Sequence, residues 1–357
     1  MRRPTRARAI VTVFAVAITL PLLAGLAGIG TGTAAAEVSA EDRAKQTGLK
    51  WLDYFDDHFP LRTALIHAHA LTSMALHVSP SPTVIRGSDG WLYYADDSAL
   101  DDYLSTTPLT AAELNDWRDA IVHTRDTLRS MGIAYVFTIA PDKHVIYPEH
   151  MPSTIHPIGQ QYRLEQLTDY LRRTTDVAVV DLRTPLLEAK AHEQVYYRTD
   201  THWNDAGAYI AYRHVLDAAA KQLPSLQPAS PEAFRSQKVE EPGGDIAEML
   251  GIRDNVREQT THLLPLAGWR AHIVEPPDMS AGFEVGEVVT TVDDPTLPRL
   301  LMIRDSFGSG MIRFLSEHFS RAVYLWRPDV DMDVVKAERP TLVIQEIVGR
   351  RLQNLTP

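Results

Sequence analysis

Short, largely apolar runs constrain the fold of this chain more than any other feature. They lie at residues 133–140, 177–182, 300–303, 322–326 and 342–348. Each is too short for a core helix, and a run without polar alternation reads as a strand buried on both faces. Helical patterns separate several of them. Residues 111–131 put Leu114, Trp117, Ile121 and Leu128 on or near one stripe and end at Gly132, and residues 164–173 form another helix. Helices alternating with buried strands predict an α/β fold with a mostly parallel sheet.

Smaller signals fill in the remainder. Residues 83–86 and 91–94 flank the turn Gly87-Ser88-Asp89-Gly90 and predict a hairpin. A helix capped by Asn204 or Asp205 is expected to reach Leu223. Residues 224–298, rich in Pro and Gly, read as an irregular insertion with a strand-like piece at 285–292. Upstream, 41–76 carries helical spacing through Trp51, Phe55 and Phe59, with Pro60 as a break, and Ser79-Pro80-Ser81-Pro82 is a linker. The expected division is a leader at 1–36, a helical segment at 37–80 and a main catalytic domain at 81–357. No internal repeat follows the leader.

The leader itself is distinctive. Arg2, Arg3, Arg6 and Arg8 precede an uncharged run from Ala9 to Ala36 that ends in Ala34-Ala35-Ala36. A basic flank, an apolar run and small residues read as a secretory signal. The run is also long enough to span a bilayer, which makes an uncleaved anchor with membrane association the alternative. Both readings put the body outside the cytoplasm. Net charge is −11, and it becomes −15 without the four leader arginines. Such a body does not bind nucleic acid non-specifically, and an anionic polymer would need a local basic cleft. The absence of Cys excludes disulfides and thiol chemistry. His67-Ala68-His69 does not make a metal pair, because positions i and i+2 of a helix do not share a face.

Two segments carry chemistry. The run at 300–303 leads into Arg304-Asp305-Ser306-Phe307-Gly308, followed by a predicted helix to Phe319. A hydroxyl there sits at a strand's carboxyl end, beside helix N–H groups that stabilise an oxyanion. Serine needs a base near neutral pH, and His202 supplies one. Asp200, two residues earlier in an extended stretch, points the same way and orients the imidazole. Ser306, His202 and Asp200 are therefore the candidate triad, recognised by roles and not by chain order. Alone, Asp-x-His is often a structural contact and Asp-Ser before a helix is often a cap. Their joint appearance at strand ends favours catalysis. Asp305 with Asp200 and His202 also admits a metal phosphoesterase, but no further ligand cluster accompanies them, and no metal or cofactor is expected.

These residues carry a resemblance. Phe55-Asp56-Asp57-His58-Phe59-Pro60-Leu61-Arg62, the hairpin Arg86-Gly87-Ser88-Asp89-Gly90-Trp91-Leu92-Tyr93, Pro141-Asp142-Lys143-His144 through Tyr147-Pro148-Glu149, Thr199-Asp200-Thr201-His202-Trp203 and Arg304-Asp305-Ser306-Phe307 occur in order. Together they resemble the SGNH-hydrolase-like alginate O-acetyltransferases of the AlgJ/AlgX type. The resemblance implies a three-layer fold, circularly permuted so that Asp-x-His precedes the serine. It implies acetyl transfer to hydroxyls of an exported polysaccharide, with Ser306 acylated and a membrane O-acyltransferase as acetyl donor partner. Arg304 departs from the common Gly-Asp-Ser block. The chain also ends too soon after Ser306 for the separate carbohydrate-binding domain of AlgX. Polymer contacts are then expected from Lys143, His144, Arg198 and Arg304, with stacking by Trp91, Tyr93, Tyr197 and Trp203. Two rival functions use the same residues: a carbohydrate O-acetyl esterase with water as acceptor, and a non-catalytic polysaccharide-binding subunit.

Overall fold

The computed structural model describes residues 62–76, 78–275 and 287–353. The leader, the Trp51–Phe59 stretch and nearly all of the early acidic-aromatic segment lie outside the described residues. In chain order the elements are α1 (Arg62–Ala75), β1 (Val84–Arg86), β2 (Leu92–Tyr94), α2 (Ala99–Leu104), α3 (Ala111–Ser130), β3 (Ala134–Ala140), α4 (Lys143–Ile146), α5 (Arg163–Thr174), β4 (Val179–Asp181) and α6 (Arg183–Lys190). There follow α7 (Asp205–Ala220), β5 (Phe234–Pro242), α8 (Asp245–Met249), β6 (Arg257–Pro265), β7 (His272–Glu275), β8 (Val288–Thr291), β9 (Arg299–Arg304), α9 (Ser306–Ser309), α10 (Ile312–Ser316), β10 (Arg321–Trp326), α11 (Met332–Glu338) and β11 (Leu342–Val348). Two compact units result. One takes α1 and the described residues to Pro80 with Leu250–Ile252; the other takes Ser81–Met249 and Arg253 onward.

The second unit is built on the apolar runs. They form a seven-stranded sheet in the order β4-β3-β11-β9-β10-β8-β7. The first five strands are parallel; β8 joins β10 antiparallel, and β7 joins β8 antiparallel. Side chains alternate between two cores, as the two-residue period of a strand requires. Val136, Met302, Tyr324 and Ile344 join a cluster with Ala211, Val215 and Ala219 of α7. Phe137, Ile303, Val323 and Val343 join another with Trp117 and Ile121 of α3, Leu167 of α5 and Val335 of α11. This is a three-layer α/β fold with a mostly parallel sheet. Each buried Leu, Ile, Val or Phe contributes ~1.5–3 kcal/mol, so the strand runs account for much of the stability.

Local chemistry sets the element ends. Thr110 and Glu113 form a reciprocal capping box at the start of α3. Asn204 caps α7, accepting from the Gly207 amide. The hairpin of β1 and β2 pairs Val84 with Tyr94.

Two expectations need correction. The stretch at 224–298 is not irregular throughout: β5 and β6, nine residues each, pair along their whole length, and β7 and β8 extend the main sheet. Strand β5 is largely exposed, so it carries no apolar alternation to betray it. The helix expected after Ser306 is two short helices, α9 and α10. Gly308 and Gly310 lie in and between them, and glycine disfavours a continuous helix.

Candidate active site

Parallel strands deliver their carboxyl ends to one edge. There β9 ends at Arg304 and turns into Asp305-Ser306, while β3 ends at Ala140 and leads into Asp142 and Lys143. Asp305 shapes the serine turn from within. Its carboxylate accepts the Phe307 amide at 3.0 Å and the Val348 amide, at the end of β11, at 2.7 Å. Behind it, Glu346 accepts the amides of Asp305 and Gly308, each at 3.1 Å. Burial first, and then the neighbouring Asp305 charge, push the Glu346 carboxyl well above the usual range. Gly308 is required here, since a Cβ would stand 2.6 Å from Arg304 Cβ and 2.9 Å from Glu346 Oε2. The Phe307 and Gly308 amides therefore point to internal carboxylates. That corrects the expectation that the whole helix start is open to an oxyanion.

The Asp200–His202 segment meets this turn from the other side. Asp200 Oδ1 lies 2.8 Å from His202 Nδ1 and also accepts the His202 amide at 2.9 Å. The His202 ring packs edge-on to Phe307, with centroids 5.0 Å apart, and Trp203 meets Phe307 at the same distance. Ser306, His202 and Asp200 all line one cavity of about 650 Å³.

A third acid stands beside the pair. Asp245, at the start of α8, reaches within 3.5 Å of His202 Nδ1 through Oδ2. Its Oδ1 accepts the Thr201 amide at 2.6 Å and the Thr201 hydroxyl at 3.1 Å, and its amide donates to Asp200 Oδ2 at 2.9 Å. Burial alone would raise the Asp200 carboxyl. Hydrogen bonds from the His202 ring and from the amides of His202 and Asp245 outweigh it and hold Asp200 below its ordinary value. Asp245 moves the other way, raised by burial and by the Asp200 charge. Asp200 is thus the ionised partner. Nδ1 of His202 then carries the proton, leaving Nε2 as the basic nitrogen.

The residues expected to contact polymer divide by position. Tyr197 and Trp203 line the cavity; Lys143, Arg198, Arg304 and Trp91 are not among its lining residues. Lys143 is buried, and its ammonium donates to the carbonyls of Tyr197, Arg198 and Asp200 at 3.2, 3.1 and 2.5 Å. It also lies 5.2 Å over the Tyr93 ring. Burial lowers it to about 8, against the nearby acids. Lys143 clasps the backbone that carries Asp200. Arg304 is buried beneath the serine turn, donating to the Asp305 carbonyl and to Ser309 Oγ. Trp91 is buried between Tyr147 and His150, with centroids 4.3 and 4.8 Å away. Its neighbour Tyr93 is also buried and donates to the Tyr147 carbonyl. His144, likewise buried, is held down to about 3 by burial, with Lys143 and Arg350 adding. The Arg198 amide and Thr199 are held by the buried carboxylate of Glu258.

The model of the family described as the SGNH hydrolase-like domain of acetyltransferase AlgX matches residues 84–325. The chain belongs to this family. A probable alginate O-acetylase AlgJ of Pseudomonas syringae pv. tomato is 31% identical over 192 residues, which is 52% of this chain and 46% of the relative. The Azotobacter vinelandii protein of the same name is 27% identical over 272 residues, 74% of this chain and 62% of that one. The chain thus spans about half the length of the curated relatives it matches. Among solved structures, Bacillus cereus PatB1 superposes with a TM-score of 0.58 at 16% identity, covering 75% of this chain and 96% of PatB1. That likeness is one of fold.

Within this acetyltransferase-family site, sequence reasoning missed Asp245, Glu258 and the clasping geometry of Lys143. Asp245 had one signal, the pair Gly243-Gly244 before it, which lets the chain approach closely. A Cβ on Gly244 would stand 2.3 Å from Asp200 Cβ. Asp200, His202 and Asp245 are also the one trio with metal-ligand chemistry among the described residues. Among those residues no helix is long and apolar enough to cross a membrane.

Proposed function

We propose that this protein is an extracytoplasmic O-acetyltransferase that modifies hydroxyls of an exported polysaccharide through an acyl-Ser306 intermediate. The observation that carries the reading is the 2.8 Å Asp200–His202 contact at the wall of a cavity that Ser306 also lines. In the first half-reaction Ser306 Oγ attacks the acetyl carbonyl and His202 Nε2 takes its proton. The same nitrogen returns the proton to the departing donor alcohol. In the second, a sugar hydroxyl attacks the acyl-serine, His202 accepts the hydroxyl proton, and Ser306 is restored. Asp200 holds the tautomer and stabilises the imidazolium. The Ser306 amide is assigned to the developing oxyanion, because its two successors in the turn are engaged by Asp305 and Glu346.

Relatives named alginate O-acetylases support a polysaccharide acceptor, and the leader supports a site outside the cytoplasm. A membrane O-acyltransferase is the assigned source of acetyl groups. Incubation with a small acetyl ester, with and without oligosaccharide, tests the scheme. Mass spectrometry is expected to show an acetyl adduct on Ser306, lost in Ser306→Ala, and acetyl moving to sugar. Acetate release indifferent to sugar would make the protein an esterase. Polymer acetylation that survives Ser306→Ala would remove the serine mechanism.

A further inference from the structure

The cavity carries an unexpected charge for an enzyme related to acetylases of an acidic polymer. On the proposed reading, the acceptor sugar enters beside Ser306. Two guanidiniums line that space, and both have carboxylate partners. Arg313 pairs with Asp205 and lies 5.8 Å over the Trp269 ring. Arg253 pairs with Glu248 at 2.8 Å. Acids outnumber them on the walls. Besides Asp200 and Asp205, the lining includes Glu241, Glu258 and Glu317, an excess of three formal negative charges over the two arginines. These acids have partners too: Asp205 meets Arg313 and His262, Glu241 meets His262, Glu258 holds the Arg198 amide and Thr199, and Glu317 meets Arg270, so the excess is one of formal charge around the cavity and not of bare carboxylates. Lys143, the cation nearest the triad backbone, is enclosed by three carbonyls.

A polyuronate brings a carboxylate with every sugar, and a site that reads it supplies arginine or lysine aimed at those groups. Here such a chain meets like charge, which acts as a barrier against the wrong acceptor. The apolar furnishings suit a different ligand. Trp269 lines the cavity and remains 37% exposed, braced edge-on by Phe314 at 5.8 Å. An exposed indole at a cavity wall offers a stacking face to the C–H side of a sugar ring. Neutral polar residues, Ser309 and Thr290 among them, also line the space, with Ser309 Oγ held by Arg304 and the Thr290 hydroxyl donating to Ser316 Oγ.

We infer that the acceptor is an uncharged glycan, stacked on Trp269 in the acid-lined cavity, and not a polyuronate. This rests on the acetyl-transfer reading only for what happens after binding, so binding and chemistry are measured separately. Equilibrium binding of neutral and uronate oligosaccharides of matched length to the full chain is followed by calorimetry at low and high salt. Neutral oligosaccharides are expected to bind at least about tenfold more tightly at low salt, with the gap narrowing as salt screens the repulsion. Trp269→Ala is expected to weaken the neutral ligand about tenfold, and Glu241→Lys to improve uronate binding. Equal or tighter uronate binding at low salt overturns the inference, as does no detectable binding of either class. The Ser306 acetyl adduct, formed from a small ester without sugar, reports the chemistry. If it fails to form while neutral glycans bind, the transferase reading falls and the acceptor inference stands.

Discussion

Lys143 changes meaning most between sequence and structure. In the sequence it is a basic residue beside a histidine, suited to an anion. In the fold its three donors hold the carbonyls of Tyr197, Arg198 and Asp200. Hydrogen bonds to charged groups contribute ~1.5–3 kcal/mol each, and buried carbonyls left unpaired are costly. Lys143→Met is therefore expected to lose ~2–4 kcal/mol in denaturant unfolding and to slow acylation by ester, through displacement of Asp200. The Asp200–His202 pair was legible because i and i+2 of an extended segment meet locally. Asp200→Asn is expected to cut single-turnover acylation by ~10⁴ with the fold intact, by analogy with serine proteases. Chelation is expected to leave turnover unchanged. Both Asp200 oxygens accept N–H groups and Asp245 Oδ1 accepts the Thr201 amide, so three of the pair's four carboxylate oxygens already serve the protein itself. Activity lost to a chelator and restored by a divalent ion would contradict this.

Among the elements, the long hairpin of β5 and β6 shows where pattern reading stops. Its residues are mostly polar, so no face declares itself, yet its end at Pro242 leads straight into Gly243, Gly244 and Asp245. The hairpin thereby brings α8 to the Asp200 segment. The Ala247 amide donates to the Thr199 carbonyl, and the Gly244 amide to Thr199 Oγ1. Gly244→Ala forces a methyl into Asp200, where a Cβ has only 2.3 Å. Moving a catalytic group by an ångström costs ~10² in rate. Ester turnover is expected to fall by about that much in kcat, with KM little altered and circular dichroism unchanged. A variant with full activity would show that this junction does not position the pair. The strands of the main sheet were legible for the opposite reason: burial on both faces demands largely apolar runs, and residues 342–348, polar only at Gln345 and Glu346, match β11 end to end.

At the scale of the whole molecule, buried acids tie stability to pH. Asp102, on α2, accepts the amide of Arg163, the first residue of α5, at 3.1 Å and is pushed up to about 7, chiefly by burial, with the Asp142 charge adding and Arg163 only partly offsetting it. Between its ordinary value of 3.8 and about 7 the folded state holds a proton that the unfolded state has released. Stability therefore falls as pH rises through that window. Asp102→Asn is expected to remove a few kcal/mol of that fall, roughly 1.4 kcal/mol for each pH unit across the window, in urea unfolding at pH 4 and pH 7.5. An identical pH dependence in wild type and variant would refute it. The sequence by itself determined the α/β class, the parallel core and the Asp-x-His pair, because each depends on local spacing or on burial that any compact solution must satisfy. Only the tertiary structure decided that Asp245 joins the pair, that Glu346 backs the serine turn, that Lys143 faces inward and that acids line the cavity. Those contacts close across 40 or more residues, Thr201 to Asp245 being 44 apart and Asp305 to Glu346 being 41. At such separations the path of the chain, and not its periodicity, sets which groups meet.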